Sequence, residues 1–220
     1  MSQTDLNGAD IITAFELQVN DITELSATEE LNLLNDKYMD VCAERPWEFL
    51  KKSATGALSL DPTTGLYYIT KPTDFSFFVE NNAYTDNAIE IENNAKPCVV
   101  FIGANYAPYQ IVNYSDRVQY RTHSNVCYLD LTADKIFFPK APSDTSFYQF
   151  DYIRVPDLLT TATTPVFPNR FRKMLWFAMA TDNDILQKST KATSYAAENR
   201  AKYNDTLEKM SWWNDQHYMN

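Results

Sequence analysis

His123 and Cys127 are the residues whose types and spacing come closest to metal or thiol chemistry. They lie four positions apart and share a face if one strand runs through both, so they could supply two metal ligands or a thiol with its base. The second histidine is His217, near the C-terminus, and no CxxC or HExxH pattern completes a site. We therefore expect no metal, no cofactor and no cysteine catalysis.

Two pairs of carboxylates have the types needed for an acid and a base in glycoside cleavage. Glu90 and Glu92 share a face of an expected strand, and Asp182 and Asp184 lie two positions apart. Solvated strand-edge charges and a helix cap account for both pairs without catalysis, and no Ser-His-Asp elbow accompanies them. The sequence therefore predicts no catalytic residue and a protein that is not an enzyme.

Aromatic residues are abundant, with 14 Tyr and 13 Phe, and many fall between Tyr67 and Tyr152. Sugars or single-stranded nucleic acid stack on such residues, and cross-strand packing in a β core uses them as well. A ligand-binding β module therefore stays open as an alternative function.

The formal net charge of −10 argues against a protein that grips DNA or an anionic membrane, because such binding uses Lys and Arg to release counterions. A wall past which nucleic acid slides is a different case, since a basic wall would retain the polyanion. The longest apolar run, residues 98–104, is too short to cross a bilayer, and no leader-like segment opens the chain. We expect a protein made in the cytosol, with its three cysteines reduced.

Helical periodicity marks both ends of the chain. One stripe is formed by Ile11, Ile12, Phe15 and Val19, a second by Leu31, Leu34, Tyr38 and Val41, and a third by Phe171, Met174, Leu175, Ala178 and Met179. Ser26 and Glu29 predict a capping box for the second helix, which Pro46 ends. The last helix, expected over residues 184–210, carries only a thin stripe of Ile185, Ala192, Tyr195, Ala196, Tyr203, Leu207 and Met210. A thin stripe on a long helix predicts a partner.

Strand periodicity fills the middle of the chain. Residues 57–60 and 66–70 flank a turn in which Pro62 and Gly65 have the types that a hairpin needs. Further strands are expected at residues 88–92, 98–102, 109–113, 126–130, 135–138 and 147–155. The last of these has bulky groups on both faces, which predicts a central position in its sheet.

These elements predict an α+β fold, in which a helical bundle built from both termini carries a large inserted antiparallel β block. Residues 1–52 supply the N-terminal helices, residues 53–156 the β block, and residues 157–220 the helices that complete the bundle.

Three stretches of the chain resemble a known family. They are the helix end and aromatic plug YMDVCAERPWEFL at residues 38–50, the strand end YIRVP at residues 152–156, and the helix start PNRF at residues 168–171. In this order they resemble the head-to-tail adaptor (neck ring or head-tail connector) proteins of short-tailed phages, over nearly the whole chain. The β block is larger than the small hairpin of many adaptors, which leaves a tail-collar or other neck-ring protein as an alternative.

The resemblance implies a structural virion protein of the neck, assembled in the host cytoplasm. In that family about twelve copies form a ring beneath the portal, the C-terminal helix or tail reaches the portal protein, and the β part faces the downstream tail protein. DNA passes through the lumen without sequence-specific binding, and no membrane is involved.

We expect the interface residues to lie near the C-terminus. Candidates are the basic cluster at a helix start and the apolar residues of the last segment: Arg170, Arg172, Lys173, Tyr203, Leu207, Met210, Trp212, Trp213 and Tyr218. Cations at a helix start oppose the macrodipole, and contact with an acidic neighbour or DNA would explain them. An exposed basic turn is the simpler alternative for this cluster, and packing onto their own bundle is the alternative for Trp212 and Trp213. Residues 203–220 are expected to make an intersubunit contact and to be dispensable for folding of the protomer.

Overall fold

The computed structural model describes residues 5–19, 25–79 and 98–218. The strand expected at residues 88–92, with Glu90 and Glu92, lies outside this described part. The chain divides into two compact units: the helical unit, Met1–Leu50 with Pro156–Asn220, and the β unit, Lys51–Val155.

Six α-helices form the described part of the helical unit. They are α1 (Gly8–Val19), α2 (Ala27–Ala43), α3 (Asn169–Arg172), α4 (Met174–Ala180), α5 (Asn183–Lys188) and α6 (Thr190–Tyr218), and a 3-10 turn covers Glu48–Leu50. The short helix α4 packs against α1, α2 and α6, and α1 also packs against α6. The expected bundle of helices from both termini is confirmed.

The start of α1 is held by the loop that follows the β unit in sequence. The backbone N–H of Gly8 donates to the carbonyl of Thr163, and that of Ala9 donates to the carbonyl of Thr161, both at 2.9 Å. These bonds satisfy N–H groups that a helix start leaves unpaired. A Cβ on Gly8 would stand 2.3 Å from the Thr160 carbonyl oxygen, so the close approach requires glycine.

Helix α2 begins and ends as its sequence predicts. Ser26 and Glu29 form the capping box, and the chain leaves the helix just before Pro46. Trp47 is fully buried and donates from Nε1 to the Val41 carbonyl at 2.6 Å. The aromatic plug therefore folds back on the helix that it follows.

The long C-terminal helix differs from the expected 184–210. It is divided at Ser189, whose backbone is extended, and α6 continues to Tyr218. The Ser189 hydroxyl donates to the Val19 carbonyl at 2.7 Å and accepts from the Ala192 N–H at 3.0 Å. Ser189 thus caps α6 and ties its start to the end of α1.

Nine strands form one sheet in the described part of the β unit. They are β1 (Lys51–Gly56), β2 (Ser59–Leu60), β3 (Tyr67–Thr70), β4 (Phe75–Phe78), β5 (Val99–Ile102), β6 (Ala107–Val112), β7 (Val126–Asp130), β8 (Lys135–Phe138) and β9 (Tyr148–Arg154). Their order is β1-β9-β5-β6-β7-β8-β3-β2, and β4 also pairs with β9. The sheet is mixed, because β6 and β7 run parallel, so the expectation of a purely antiparallel block was wrong.

The seven strands expected within the described residues each overlap an observed one. The central position of β9 is confirmed, since it pairs with β1, β4 and β5. The hairpin turn is also as expected, with Gly65 at a φ of 69°. Strands β1 and β4 were not expected. The sequence KKSATG of β1 has no apolar alternation that would predict a strand. It is a strand because its backbone pairs with that of β9.

Candidate interface surfaces of the helical unit

The inner face of α6 follows a heptad-like spacing of four and three residues. The residues on it, buried or half-buried, are Ala192, Ala196, Asn199, Tyr203, Thr206, Met210 and Trp213. Asn199 and Thr206 each form a hydrogen bond within the same unit. Gln18 Nε2 donates to Asn199 Oδ1 at 2.8 Å, and the Thr206 hydroxyl donates to the Lys202 carbonyl at 2.7 Å. Asn214, beside this face, accepts from the Glu48 N–H at 2.6 Å.

This face corrects two expectations about the last segment. Met210 is fully buried in its own helical unit and is not available to a neighbour. Thr206 and Asn214 are also buried. The described part of the segment, residues 203–218, is therefore part of the bundle, which argues against the segment being dispensable for folding. Tyr203 and Leu207 are half-buried, and the side chain of Tyr218 lies outside the described part.

Arg172 is buried and hydrogen-bonded within its own unit, so it does not contact an acidic neighbour. It is 8% exposed and donates from Nε to the Phe167 carbonyl at 3.1 Å and from Nη1 to the Leu6 carbonyl at 3.2 Å. Asp5 lies 3.4 Å from the same Nη1. Burial lowers the pKa of the guanidinium. Arg172 therefore holds residues 5 and 6 against the helical unit.

The other two cations of the cluster, Arg170 and Lys173, are exposed. The Arg170 guanidinium lies over the Phe171 ring at 4.6 Å and over the half-buried Trp213 ring at 5.4 Å. Lys202 on α6 lies over the Phe177 ring at 5.4 Å. We call Arg170, Lys173 and Lys202, with the rings of Phe171, Trp213 and Phe177, the basic patch.

A shallow groove runs along the other flank of α6. It is lined by Glu44, Arg45, Pro46, Asn204, Leu207, Glu208 and Ser211. Arg45 is paired with Asp215 and lies over the Trp47 ring. The pKa of Tyr203 is raised, first by burial and then by the Glu44 and Asp40 carboxylates. We call this surface the acidic groove.

Trp212 stands on the outward face of α6, with 67% of its surface exposed. An α-helix turns by about 100° per residue, which places Trp212 about midway between the groove side and the basic-patch side of the helix. The adjacent tryptophan, Trp213, packs on Phe171 at 5.9 Å between ring centroids. The two tryptophans therefore have different roles, one inside the unit and one facing solvent.

The residues considered for metal or acid–base chemistry do not form a site. Each is buried, lies outside a shared strand, or makes a structural contact. Cys127 is fully buried in β7, where burial raises the pKa of its thiol, whereas His123 precedes the strand and packs on Tyr120. Asp182 caps α5 through the Asp184 N–H and pairs with Lys37 at 2.8 Å. Among the described residues, no group of three or more His, Cys, Asp or Glu side chains could hold a metal ion. No helix in the described part is long and apolar enough to cross a membrane.

Comparison with known proteins returns no family model and no curated protein that matches this chain. The acidic groove is the surface that the sequence reasoning missed. Asp40 and Glu44 are one helical turn apart just before Pro46, which was the available signal. The proximity of Glu44 to Glu208 depends on the packing of α6 and could not be read from spacing.

Proposed function

We propose that this chain is a structural virion protein, a ring-forming head-to-tail adaptor that joins the portal to the tail of a short-tailed phage and lets DNA pass. The proposal starts from the resemblance carried by residues 38–50, 152–156 and 168–171. In the helical unit, Phe167, directly before residues 168–171, packs on the stretch 38–50, with its ring centroid 6.0 Å from that of Tyr38 and 5.8 Å from that of Phe49. The stretch 38–50 and the residue before 168–171 therefore contribute to the same packed core.

The observation that carries the proposal is the exposure of Trp212 on a helix whose inner face is already packed against its own unit. Tryptophan is enriched at the energetic centres of protein interfaces, and its burial removes 150 to 250 Å² from water. At roughly 25 cal/mol per Å², burial of this side chain against a partner would contribute several kcal/mol before ordering costs. We assign Trp212 to the contact with the portal or the tail protein.

The formal charge of −10 supports a passive conduit. A wall with net negative charge does not hold the phosphate backbone, so DNA slides past without a fixed register.

The test is negative-stain electron microscopy and native mass spectrometry of the purified full-length chain. The proposal expects closed rings with a central hole wide enough for duplex DNA. A species that stays monomeric up to the concentrations at which neck proteins assemble would overturn it. Trp212→Ala should leave rings intact and abolish their attachment to portal-bearing heads, because the side chain faces outward.

A further inference from the structure

We infer that neighbouring copies of this chain meet through opposite flanks of α6, with the acidic groove of one copy against the basic patch of the next. This inference rests on the proposed function, because a ring of identical subunits needs two different and complementary surfaces on each copy. The occupant of the groove is therefore a second copy of the same chain.

The geometry of α6 places the two surfaces on opposite sides. Asn204, Leu207, Glu208 and Ser211 line the groove. Lys202 and Trp213 belong to the basic patch. With about 100° per residue, the centres of these two sets are roughly 180° apart around the helix. A contact between them repeats in one direction and builds a ring or a filament instead of a closed dimer.

The charges around the two surfaces are opposite in sign. Four carboxylates, Asp40, Glu44, Glu208 and Asp215, stand against two guanidinium groups, Arg45 and Arg200, on the groove side, which leaves −2. Four cations, Arg170, Lys173, Lys202 and Lys209, stand against Glu198 and Asp205 on the patch side, which leaves +2. Complementary potentials of this kind set the register of a contact and suppress wrong pairings.

Both surfaces also carry apolar groups at their centres. Leu207 and Pro46 lie in the groove, and the rings of Phe171, Trp213 and Phe177 lie under the cations of the patch. Cations held over rings are ordered before binding, so less side-chain entropy is lost when they meet carboxylates.

Charge reversal with mutual rescue tests the inference. One variant carries Glu44→Lys and Glu208→Lys, and the other carries Arg170→Glu and Lys173→Glu. All four side chains are exposed, so both variants should fold, which far-ultraviolet circular dichroism checks. A control with Asp157→Lys and Asp184→Lys makes the same change in charge as the first variant at exposed sites that belong to neither surface.

Each variant alone should form about tenfold less ring, or still less, than the parent chain at equal concentration, because like charges then face each other. An equimolar mixture should recover rings, since every contact in an alternating ring again joins opposite charges. Rings formed normally by either variant alone would overturn the inference, and so would failure of the mixture to recover rings. If the first variant is the one that retains rings, the groove would be assigned to a basic segment of another protein. A parent chain that forms no rings would instead refute the proposed function, and with it this contact.

Discussion

The helical unit and the β unit bury different kinds of side chain. In the described part of the chain, the buried polar and charged residues all belong to the helical unit: Glu30, Asn35, Arg172, Ser189, Asn199, Thr206 and Asn214. The β unit instead closes over an apolar and aromatic cluster that includes Phe138, Phe150 and Tyr152. Its aspartates, such as Asp61 and Asp144, accept backbone N–H groups in exposed turns.

The two cores are specified in different ways. Several buried polar groups of the helical unit join segments more than 120 positions apart, as in the bonds of Asn35 to Leu159 and of Glu48 to Asn214. Unpaired buried polar groups are costly, so these bonds form only when both ends of the chain are in place. The β unit is specified by packing and pairing among residues of a single continuous segment.

The largest expected effect comes from truncation after Lys202. This change removes Thr206, Met210 and Asn214, all buried in the helical unit, and leaves the Glu48 N–H without its acceptor. We expect the helical unit to lose cooperative unfolding in thermal melts followed by circular dichroism. Truncation after Tyr218 is the control and should leave the melt unchanged. A truncated chain that still melts cooperatively at the parent temperature would show that the C-terminal segment is only an appendage.

Asn35→Leu tests the polar core directly. Asn35 Oδ1 accepts from the Leu159 N–H at 2.6 Å, and its Nδ2 donates to the Leu159 carbonyl at 3.0 Å. Loss of the amide leaves the buried N–H and carbonyl of Leu159 without hydrogen-bond partners, which should lower the free energy of unfolding by about 2 to 4 kcal/mol. Urea denaturation measures the change, and Asn32→Leu, at an exposed position of the same helix, is the control. Equal stability of the two variants would mean that the buried amide adds nothing.

Gly8→Ala probes the junction between the two ends of the chain. The new Cβ would stand 2.3 Å from the Thr160 carbonyl oxygen, so α1 or the loop must move. We expect a loss of about 1 to 3 kcal/mol in urea denaturation, in the range of overpacking substitutions. Ala9→Ser, at an exposed neighbour, should cost far less. A neutral Gly8→Ala would indicate that the loop yields freely and does not fix the start of α1.

The smallest effect concerns the acid stability of the β unit. Hydrogen bonds from the hydroxyl and N–H of Ser146 and from the Ala104 N–H lower the pKa of Asp144 to about 2, from an ordinary value of 3.8. A lowered pKa contributes stability that is present above the ordinary value and lost as pH falls from about 4 towards 2. Asp144→Asn should therefore reduce the drop in melting temperature between pH 5 and pH 2. An unchanged drop would remove Asp144 from the acid response.

The same contrast explains what could be predicted from sequence. In the β unit the strands at residues 126–130 and 135–138 were placed to the residue, because apolar alternation and turn residues mark them. In the helical unit the inner face of α6 was underestimated, because Asn199 and Thr206 look like surface residues until their partners are known. The break at Ser189 and the burial of Arg172 depend in the same way on contacts with the distant residues Val19 and Leu6.

The most direct test of the central claim is an electron cryomicroscopy map of the assembled full-length chain in which helices are resolved. We expect a closed ring whose copies touch through the helical unit, with Glu44 and Glu208 of one copy facing Arg170 and Lys173 of the next and Trp212 left outside that contact. Copies that meet only through their β units, or an assembly without a central hole, would contradict it.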